Sequence, residues 1–208
     1  MQIHWPNSSF MLSVADSRQF PEVVLPQVAV AGHSNVGKSS LLNAIFNRKD
    51  LVKASKRPGC TRLLNLFNVD EQLVIIDLPG YGFARAAKSE KNKWARLIEE
   101  YLTSDIVAQL VLVLLDIRHG PKDSDLQLIE WLNERDIRWI PIATKADKLT
   151  GNDRSKRLSE MKDALGGRLP MTTSCLDKRG IDKVRSLIIE EIETQLWHAS
   201  LARPGDAG

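Results

Sequence analysis

The stretch VAVAGHSNVGKSSLLNAIFN, residues 28–47, decides the fold. Its first five residues are an apolar run typical of a buried strand, and residues 40–47 have the spacing of an amphipathic helix. Between them, residues 32–39 match GxxxxGK[ST] in the strand-to-helix context that marks a phosphate-binding loop. Backbone N–H groups at such a loop and helix N-terminus bind phosphate oxygens. The stretch therefore predicts a nucleotide-binding α/β domain.

Individual residues of this loop have separate roles. Gly32 and Gly37 allow the backbone to approach the phosphates closely. Lys38 places a positive charge at the β- and γ-phosphates, and Ser39 offers its hydroxyl to Mg²⁺. The flanking strand and helix argue against a chance glycine–serine turn.

Strands and helices alternate along the rest of the chain. We predict further strands at 63–69, 73–77, 110–116, 137–145 and 169–174, and helices around 94–102 and at 123–135, 153–165 and 181–197. The short turn at 70–72 makes the second and third strands antiparallel. The prediction is an α/β fold of three layers, a six-stranded, mostly parallel sheet with one antiparallel edge pair and helices on both faces.

Length and composition are those of an ordinary globular protein. The chain has 208 residues and a net charge of +3, and its two cysteines, Cys60 and Cys175, lack the spacing of a metal site. No signal peptide or membrane-spanning run is recognisable. We expect a cytoplasmic protein with an N-terminal extension packed on the domain at 1–24, the domain itself at 25–198 and a disordered tail at 199–208.

DLPGYGFAR, residues 77–85, contains the pattern DxxG that many nucleotide hydrolases place beside a γ-phosphate. Asp77 would hold Mg²⁺ through a water, and the Gly80 N–H would contact the γ-phosphate. Many switch GTPases continue with a glutamine that orients the attacking water, whereas this chain has Tyr81. The sequence predicts slow hydrolysis unless another group supplies the missing function.

TKAD, residues 144–147, follows a predicted strand and is typical of a guanine pocket. Asp147 would accept hydrogen bonds from two guanine donors that adenine lacks, while the Lys145 stem packs over the base. TSC, residues 173–175, follows the next strand, where a backbone N–H would reach the guanine O6. For Cys175, a small buried residue is the competing interpretation.

KRPGCTRLL, residues 56–64, lies where a first switch is expected. Thr61 would contact Mg²⁺ and the γ-phosphate only with GTP bound. Turn chemistry after Pro58 and Gly59 is the alternative.

The predicted nucleotide site therefore draws on five segments. Their residues are Gly32, His33, Ser34, Asn35, Val36, Gly37, Lys38, Ser39; Gly59, Cys60, Thr61, Arg62, Leu63; Asp77, Leu78, Pro79, Gly80; Thr144, Lys145, Ala146, Asp147; and Thr173, Ser174, Cys175. The predicted Mg²⁺ ligands are Ser39, Thr61 and Asp77. The predicted catalytic residues are Lys38, Thr61, Gly80 and Asn35. His33 receives no role beyond its place in the loop.

GHSNVGKSSLLNA, PGCTRLLNLF, DLPGYGFA, the Trp94 helix with LIEEYL, and TKADK together resemble the EngB family of bacterial ribosome-biogenesis GTPases. The resemblance covers roughly residues 8–198. It implies a Ras-like P-loop GTPase domain, GTP/GDP and Mg²⁺ binding, association with the large ribosomal subunit, and a requirement for normal division and septation. His33 departs from the family, which often has arginine there.

Two further expectations concern catalysis and partners. Some related GTPases use an asparagine placed like Asn35 to hold K⁺, although the residue could equally serve only to shape the loop. Nine cations flank the switches: Lys53, Lys56, Arg57, Arg62, Arg85, Lys88, Lys91, Lys93 and Arg96. They predict a surface that binds RNA phosphates in the GTP state, with a solvated face as the alternative. With the large ribosomal subunit that the resemblance implies, we expect a monomer that binds ribosomal RNA and protein in its GTP state, and neither membrane nor DNA. A nucleotide-dependent scaffold of the division machinery is the alternative function.

Overall fold

The computed structural model describes residues 1–53, 63–81, 96–103 and 110–201. Within them seven strands form one sheet in the order β1-β3-β4-β2-β5-β6-β7. The strands are β1 Ser8–Val14, β2 Gln27–Gly32, β3 Leu64–Val69, β4 Leu73–Asp77, β5 Leu110–Asp116, β6 Trp139–Thr144 and β7 Met171–Thr172. The predicted three-layer α/β fold is confirmed.

The described helices follow strands β2, β4, β5, β6 and β7 in turn. They are α1 Lys38–Phe46, α2 described over 96–102, α3 Asp123–Glu134, α4 Gly151–Ala164 and α5 Ile181–Leu201, with short 3-10 turns at Ser17–Gln19 and Ala146–Lys148. Helix α4 begins two residues earlier than predicted because Thr150 caps it, its hydroxyl accepting from the Asp153 N–H. Helix α5 runs four residues past its predicted end. No described helix is long and apolar enough to cross a membrane.

The strand count of six was wrong, because β1 adds a seventh strand beside β3. Strands β3 and β4 are antiparallel, as the short turn predicted, but β1 and not β3 is the edge strand. Strand β1 could not be recognised in the sequence, because a register shift between Phe10 and Leu12 breaks the alternation of buried and exposed residues. Phe10 and Met11 are both exposed. The strand lies inside the predicted extension 1–24 and is bonded into the sheet.

The sheet has a hydrophobic layer on each face. Along β2, Val28 and Val30 pack in the layer that contains α1 and α5, whereas Ala29 and Ala31 face the layer of α2 and α3. A strand covered on both faces reads as a continuous apolar run, as β2 and β5 do. Helix α3 buries Ile129 and Leu132, whereas Leu126 is exposed.

The topology places the predicted motifs along one edge of the sheet. Strand β2 lies between β4 and β5 and is parallel to both, and β6 continues the parallel set. The loops that follow β2, β4, β5 and β6 therefore meet at the carboxyl edge, where ligands bind on open α/β sheets. Of the predicted disordered tail 199–208, residues 199–201 belong to helix α5 and the rest lies outside the described residues.

Candidate functional site

The phosphate loop closes tightly between β2 and α1. A Cβ atom on Gly32 would lie 2.8 Å from Val36 Cγ1, so only glycine fits there. Gly37 has φ +107°, in the left-handed region, and Asn35 enters the same region at φ 64°. The Val36 N–H donates to the His33 carbonyl at 3.1 Å and completes the turn. The loop thus has the local shape that its motif predicts.

Lys38 and Asp77 form an ion pair at the centre of the site. Lys38 opens α1 and Asp77 ends β4, and their side chains are only 11% and 3% exposed. A buried pair of this kind is sensitive to loss of either partner, because the remaining charge is left without compensation. The lysine assigned to phosphates and the carboxylate assigned to Mg²⁺ are therefore neighbours.

Of the three donors predicted for Mg²⁺, Ser39 and Asp77 lie among the described residues and offer oxygen atoms of the kind that this ion prefers. Ser39 lies in the first turn of α1, next to the residue that pairs with Asp77. Mg²⁺ prefers hard oxygen ligands and is usually held by one or two carboxylates together with substrate phosphates. Among the described residues, no group of three or more His, Cys, Asp or Glu could hold a metal ion.

The DxxG segment lies directly against the phosphate loop. A Cβ atom on Gly80 would be 3.3 Å from Ser34 Cα, and the Ser34 N–H donates to the Tyr81 carbonyl at 3.0 Å. The Leu78 N–H donates to the Val30 carbonyl at 3.1 Å, which continues the pairing of β4 with β2. Gly80 is therefore held beside the loop that is predicted to carry the phosphates.

Tyr81 occupies a core position instead of reaching into solvent above the loop. Its side chain is buried in the layer of α2 and α3, and its ring meets the His33 ring edge-on with centroids 6.2 Å apart. Burial and the neighbouring Asp125 carboxylate raise the pKa of the Tyr81 phenol. The phenol stays protonated and packed, so it does not replace a water-orienting glutamine.

The TKAD segment is tied to the phosphate loop by two side chains. The Thr144 hydroxyl donates to the Val36 carbonyl at 2.7 Å, and Lys145 Nζ donates to the Asn35 carbonyl at 2.6 Å. Lys145 itself has φ 60°. These bonds fix the predicted base pocket and the predicted phosphate cradle as one unit.

Asp147 is oriented by the TSC loop. The Ser174 hydroxyl donates to Asp147 Oδ1 at 2.8 Å, and the Ala146 N–H donates to the Thr173 carbonyl at 3.0 Å. The Ser174 bond, with a weaker one from Lys148, lowers the pKa of the Asp147 carboxyl. Asp147 is therefore ionised at neutral pH and can accept from guanine. Cys175 is exposed, against the interpretation of it as a buried residue.

The carboxylate of Asp116, which ends β5, also belongs to the site, although no sequence motif contains it. Arg118 Nε and an Arg118 Nη donate to its two oxygens at 2.9 and 2.7 Å, and Lys145 Nζ donates at 2.8 Å. Burial raises the pKa of the Asp116 carboxyl, but the bonds from Arg118 and Lys145 outweigh it and hold that pKa below its usual range. The sequence did contain one signal for this residue, because an acidic residue ends an otherwise apolar strand at the edge of the sheet where ligands bind.

A cavity of about 260 Å³ opens beside the phosphate loop. It is lined by His33, Asn35, Asp116, His119, Lys122 and Lys145, among others. Of the predicted first switch, Leu63 lies just before β3, and Gly59, Cys60, Thr61 and Arg62 fall outside the described residues. The contacts predicted for Thr61 remain a prediction.

Known proteins resemble this chain over most of its length. Residues 27–145 match the family model described as 50S ribosome-binding GTPase. A protein of Streptococcus pyogenes, named probable GTP-binding protein EngB, is 43% identical over 189 residues, 89% of this chain and 95% of that protein. A protein of Streptococcus gordonii with the same name is 42% identical over 195 residues, 92% of this chain and 99% of that protein.

Solved structures share the fold. A crystal structure of a probable GTP-binding protein engB matches with a TM-score of 0.67 and 22% identity, over 81% of this chain and 99% of that chain. Era in complex with MgGDPNP and nucleotides 1506–1542 of 16S ribosomal RNA matches with a TM-score of 0.61 and 22% identity, over 81% of this chain and 57% of that chain.

Proposed function

Because the chain belongs to the EngB family of GTP-binding proteins, we propose that it is a guanine-nucleotide switch that acts in assembly of the large ribosomal subunit. The observation that carries the proposal is the joined site, in which Lys145 and Thr144 connect the guanine pocket to the phosphate loop. The matching family model is described as a 50S ribosome-binding GTPase, which supports this choice of partner.

The nucleotide cycle follows from the placement of the charged groups. Lys38 would neutralise the β- and γ-phosphates, and Ser39 and Asp77 would hold Mg²⁺, which supplies a further charge on those oxygens. Gly80, beside Ser34, would donate its N–H to the γ-phosphate only in the GTP state. Loss of this contact on hydrolysis would release the segment after Gly80. Binding of GDP and GTP but not ATP, measured by calorimetry, tests the proposal.

Hydrolysis by the isolated protein should be slow, because Tyr81 is packed against His33 and supplies no water-orienting group. A cation near Asn35 could stabilise the charge that develops on the phosphates. The Asn35 carbonyl is engaged by Lys145, while the residue itself is exposed at the rim of the loop.

We expect hydrolysis to slow about tenfold or more when Na⁺ replaces K⁺, the effect of removing one charge-stabilising group. Asn35→Ala should abolish the difference between the two ions. Phosphate release over time in matched KCl and NaCl buffers measures both. A rate that is equal in the two salts would remove K⁺ from the mechanism and leave GTP binding intact.

The partner surface is proposed to be the basic groups that flank the two switches. Lys53 is exposed, and Arg96 donates to Glu100 at 2.7 Å. The other members, Lys56, Arg57, Arg62, Arg85, Lys88, Lys91 and Lys93, lie outside the described residues. Reordering by the γ-phosphate would gather these charges toward RNA phosphates. We propose that the protein acts as a monomer in the cytoplasm. Cells that lack it would then fail to assemble large subunits, and this failure would account for the proposed defects in division and septation.

Binding to large subunits should require a GTP analogue and should weaken steeply with salt. With about three phosphate contacts, a fourfold rise in salt lowers affinity roughly fortyfold. Arg85→Glu with Lys88→Glu should weaken co-sedimentation without changing GTP affinity, whereas Lys156→Glu with Lys162→Glu on α4 is the control. Equal co-sedimentation with GDP and with the analogue would contradict a switch-coupled RNA surface.

A further inference from the structure

Two cations share the carboxylate that ends β5. Asp116 has a side chain only 10% exposed and accepts from Arg118 and from Lys145. Arg118 contacts both carboxylate oxygens, and its backbone N–H donates to Oδ1 at 3.1 Å. Lys145 shares Oδ2 at 2.8 Å. The carboxylate therefore has one partner two residues away in the sequence. Its second partner is far away in the sequence and belongs to the predicted guanine pocket.

Lys145 reaches from that carboxylate to the phosphate loop. Its Nζ lies 2.8 Å from Asp116 Oδ2 and 2.6 Å from the Asn35 carbonyl oxygen. Asn35 and Lys145 both adopt positive φ, at 64° and 60°, which is unfavourable for residues other than glycine. Such conformations persist where surrounding contacts fix them. The ammonium of Lys145 bonds the backbone carbonyl of Asn35 and so connects the two segments in which these positions lie.

A lysine side chain has a flexible four-carbon stem, so its position depends on what holds the ammonium. The Asn35 carbonyl alone offers one uncharged acceptor, whereas Asp116 adds a charge-assisted bond from a rigid strand end. We propose that Asp116 is a positioning residue that fixes Lys145 between the guanine pocket and the phosphate loop, and thereby sets nucleotide affinity. This inference rests on the proposed nucleotide site.

The chain contains a matched comparison for the local part of this arrangement. Asp16 and Arg18 form the same contacts two residues apart, with the Arg18 backbone N–H and Nε donating to Oδ1 at 3.0 and 2.8 Å and an Nη donating to Oδ2 at 2.7 Å. That pair is far more exposed, at 42% and 87% of the two side chains. Among the described ion pairs, Asp16 has Arg18 alone. Asp116 differs from Asp16 in having Lys145 as a second partner.

A double-mutant cycle with labelled GDP tests the proposal. Asp116→Asn should weaken GDP binding about tenfold, the effect of losing one charged hydrogen bond to the lysine. Asp16→Asn removes the equivalent pair elsewhere and should leave affinity unchanged. In a Lys145→Met background, Asp116→Asn should cause no further loss beyond about twofold, the usual error of additivity.

Two results would overturn the proposal. One is a GDP affinity of Asp116→Asn within about twofold of the parent protein. The other is the same loss in both backgrounds, which a general structural role of Asp116 would produce. If Asp116→Asn does not fold, Asp116→Glu keeps the charge but moves the oxygens off the lysine, and the same cycle applies. A parent protein that fails to bind GDP would refute the proposed site as well, whereas intact parent binding with an unaffected variant refutes only this inference.

Discussion

Lys38→Ala is expected to lower GTP affinity roughly a hundredfold or more, because charged hydrogen bonds contribute about 1.5–3 kcal/mol each and Lys38 would make two of them, to the β- and γ-phosphates. GDP affinity should fall less, about ten- to a hundredfold, because GDP has only the β-phosphate for Lys38 to contact. The same change leaves the Asp77 carboxylate buried without its partner, since that side chain is 3% exposed. The nucleotide-free protein should therefore also lose about 3–5 kcal/mol of stability.

These two losses can be separated. Adding Asp77→Asn to Lys38→Ala removes both charges, so the melting temperature should recover while nucleotide affinity stays low. Lys49→Ala, an exposed lysine just after α1, is the control for a general charge effect. Titration with fluorescent nucleotide and thermal unfolding give the two measurements. Affinity that recovers together with stability would mean that Lys38 only supports the fold.

Asp147→Asn is expected to change the preferred base. The carboxylate can accept from two guanine donors, whereas an amide would present a donor to one of them. GDP affinity should fall about ten- to a hundredfold, the cost of one or two unmatched polar contacts. Xanthosine diphosphate should gain affinity, because its carbonyl accepts where the guanine amine donates.

The Ser174 hydroxyl sharpens this prediction, because it donates to Asp147 Oδ1 and an asparagine oxygen can accept the same bond. The substitution should therefore keep the pocket folded. Asp163→Asn, an exposed acid on α4, is the matched control. Competition between GDP and xanthosine diphosphate is the measurement. A variant that keeps its preference for GDP would show that Asp147 does not recognise the base.

Sequence predicted the elements whose patterns repeat locally. The buried runs of β2 and β5 depend on neighbouring residues, and their positions are confirmed, as is the strand-to-helix turn between β2 and α1. The described part of α2, residues 96–102, is helical as predicted. Strand β1 depends instead on pairing with β3, whose partner residues are 50 to 61 positions away, from Val14↔Leu64 to Ser8↔Val69. Because Phe10 is exposed and the register shifts, apolar and polar residues do not alternate regularly along this strand.

The candidate site divides in the same way. Lys38, Asp77 and Asp147 could be assigned because each lies in a motif that names its chemistry. Asp116 could not, because its role depends on Lys145, a partner 29 positions away that approaches only in the folded sheet. The presence of Tyr81 in the sequence indicated only that the water-orienting glutamine is absent. The packing of Tyr81 against His33 could be seen only in the structure.

The edge position of β1 has a consequence for handling the protein. Strand β3 is antiparallel to β4 on one side and to β1 on the other, so removing residues 8–14 would expose its outer N–H and C=O groups. An uncovered strand that carries Leu64, Leu66 and Phe67 is a template for pairing with other chains. Truncation at the N-terminus would therefore reduce solubility before it touched the nucleotide site. By covering the edge of β3, strand β1 prevents the sheet from pairing with other chains.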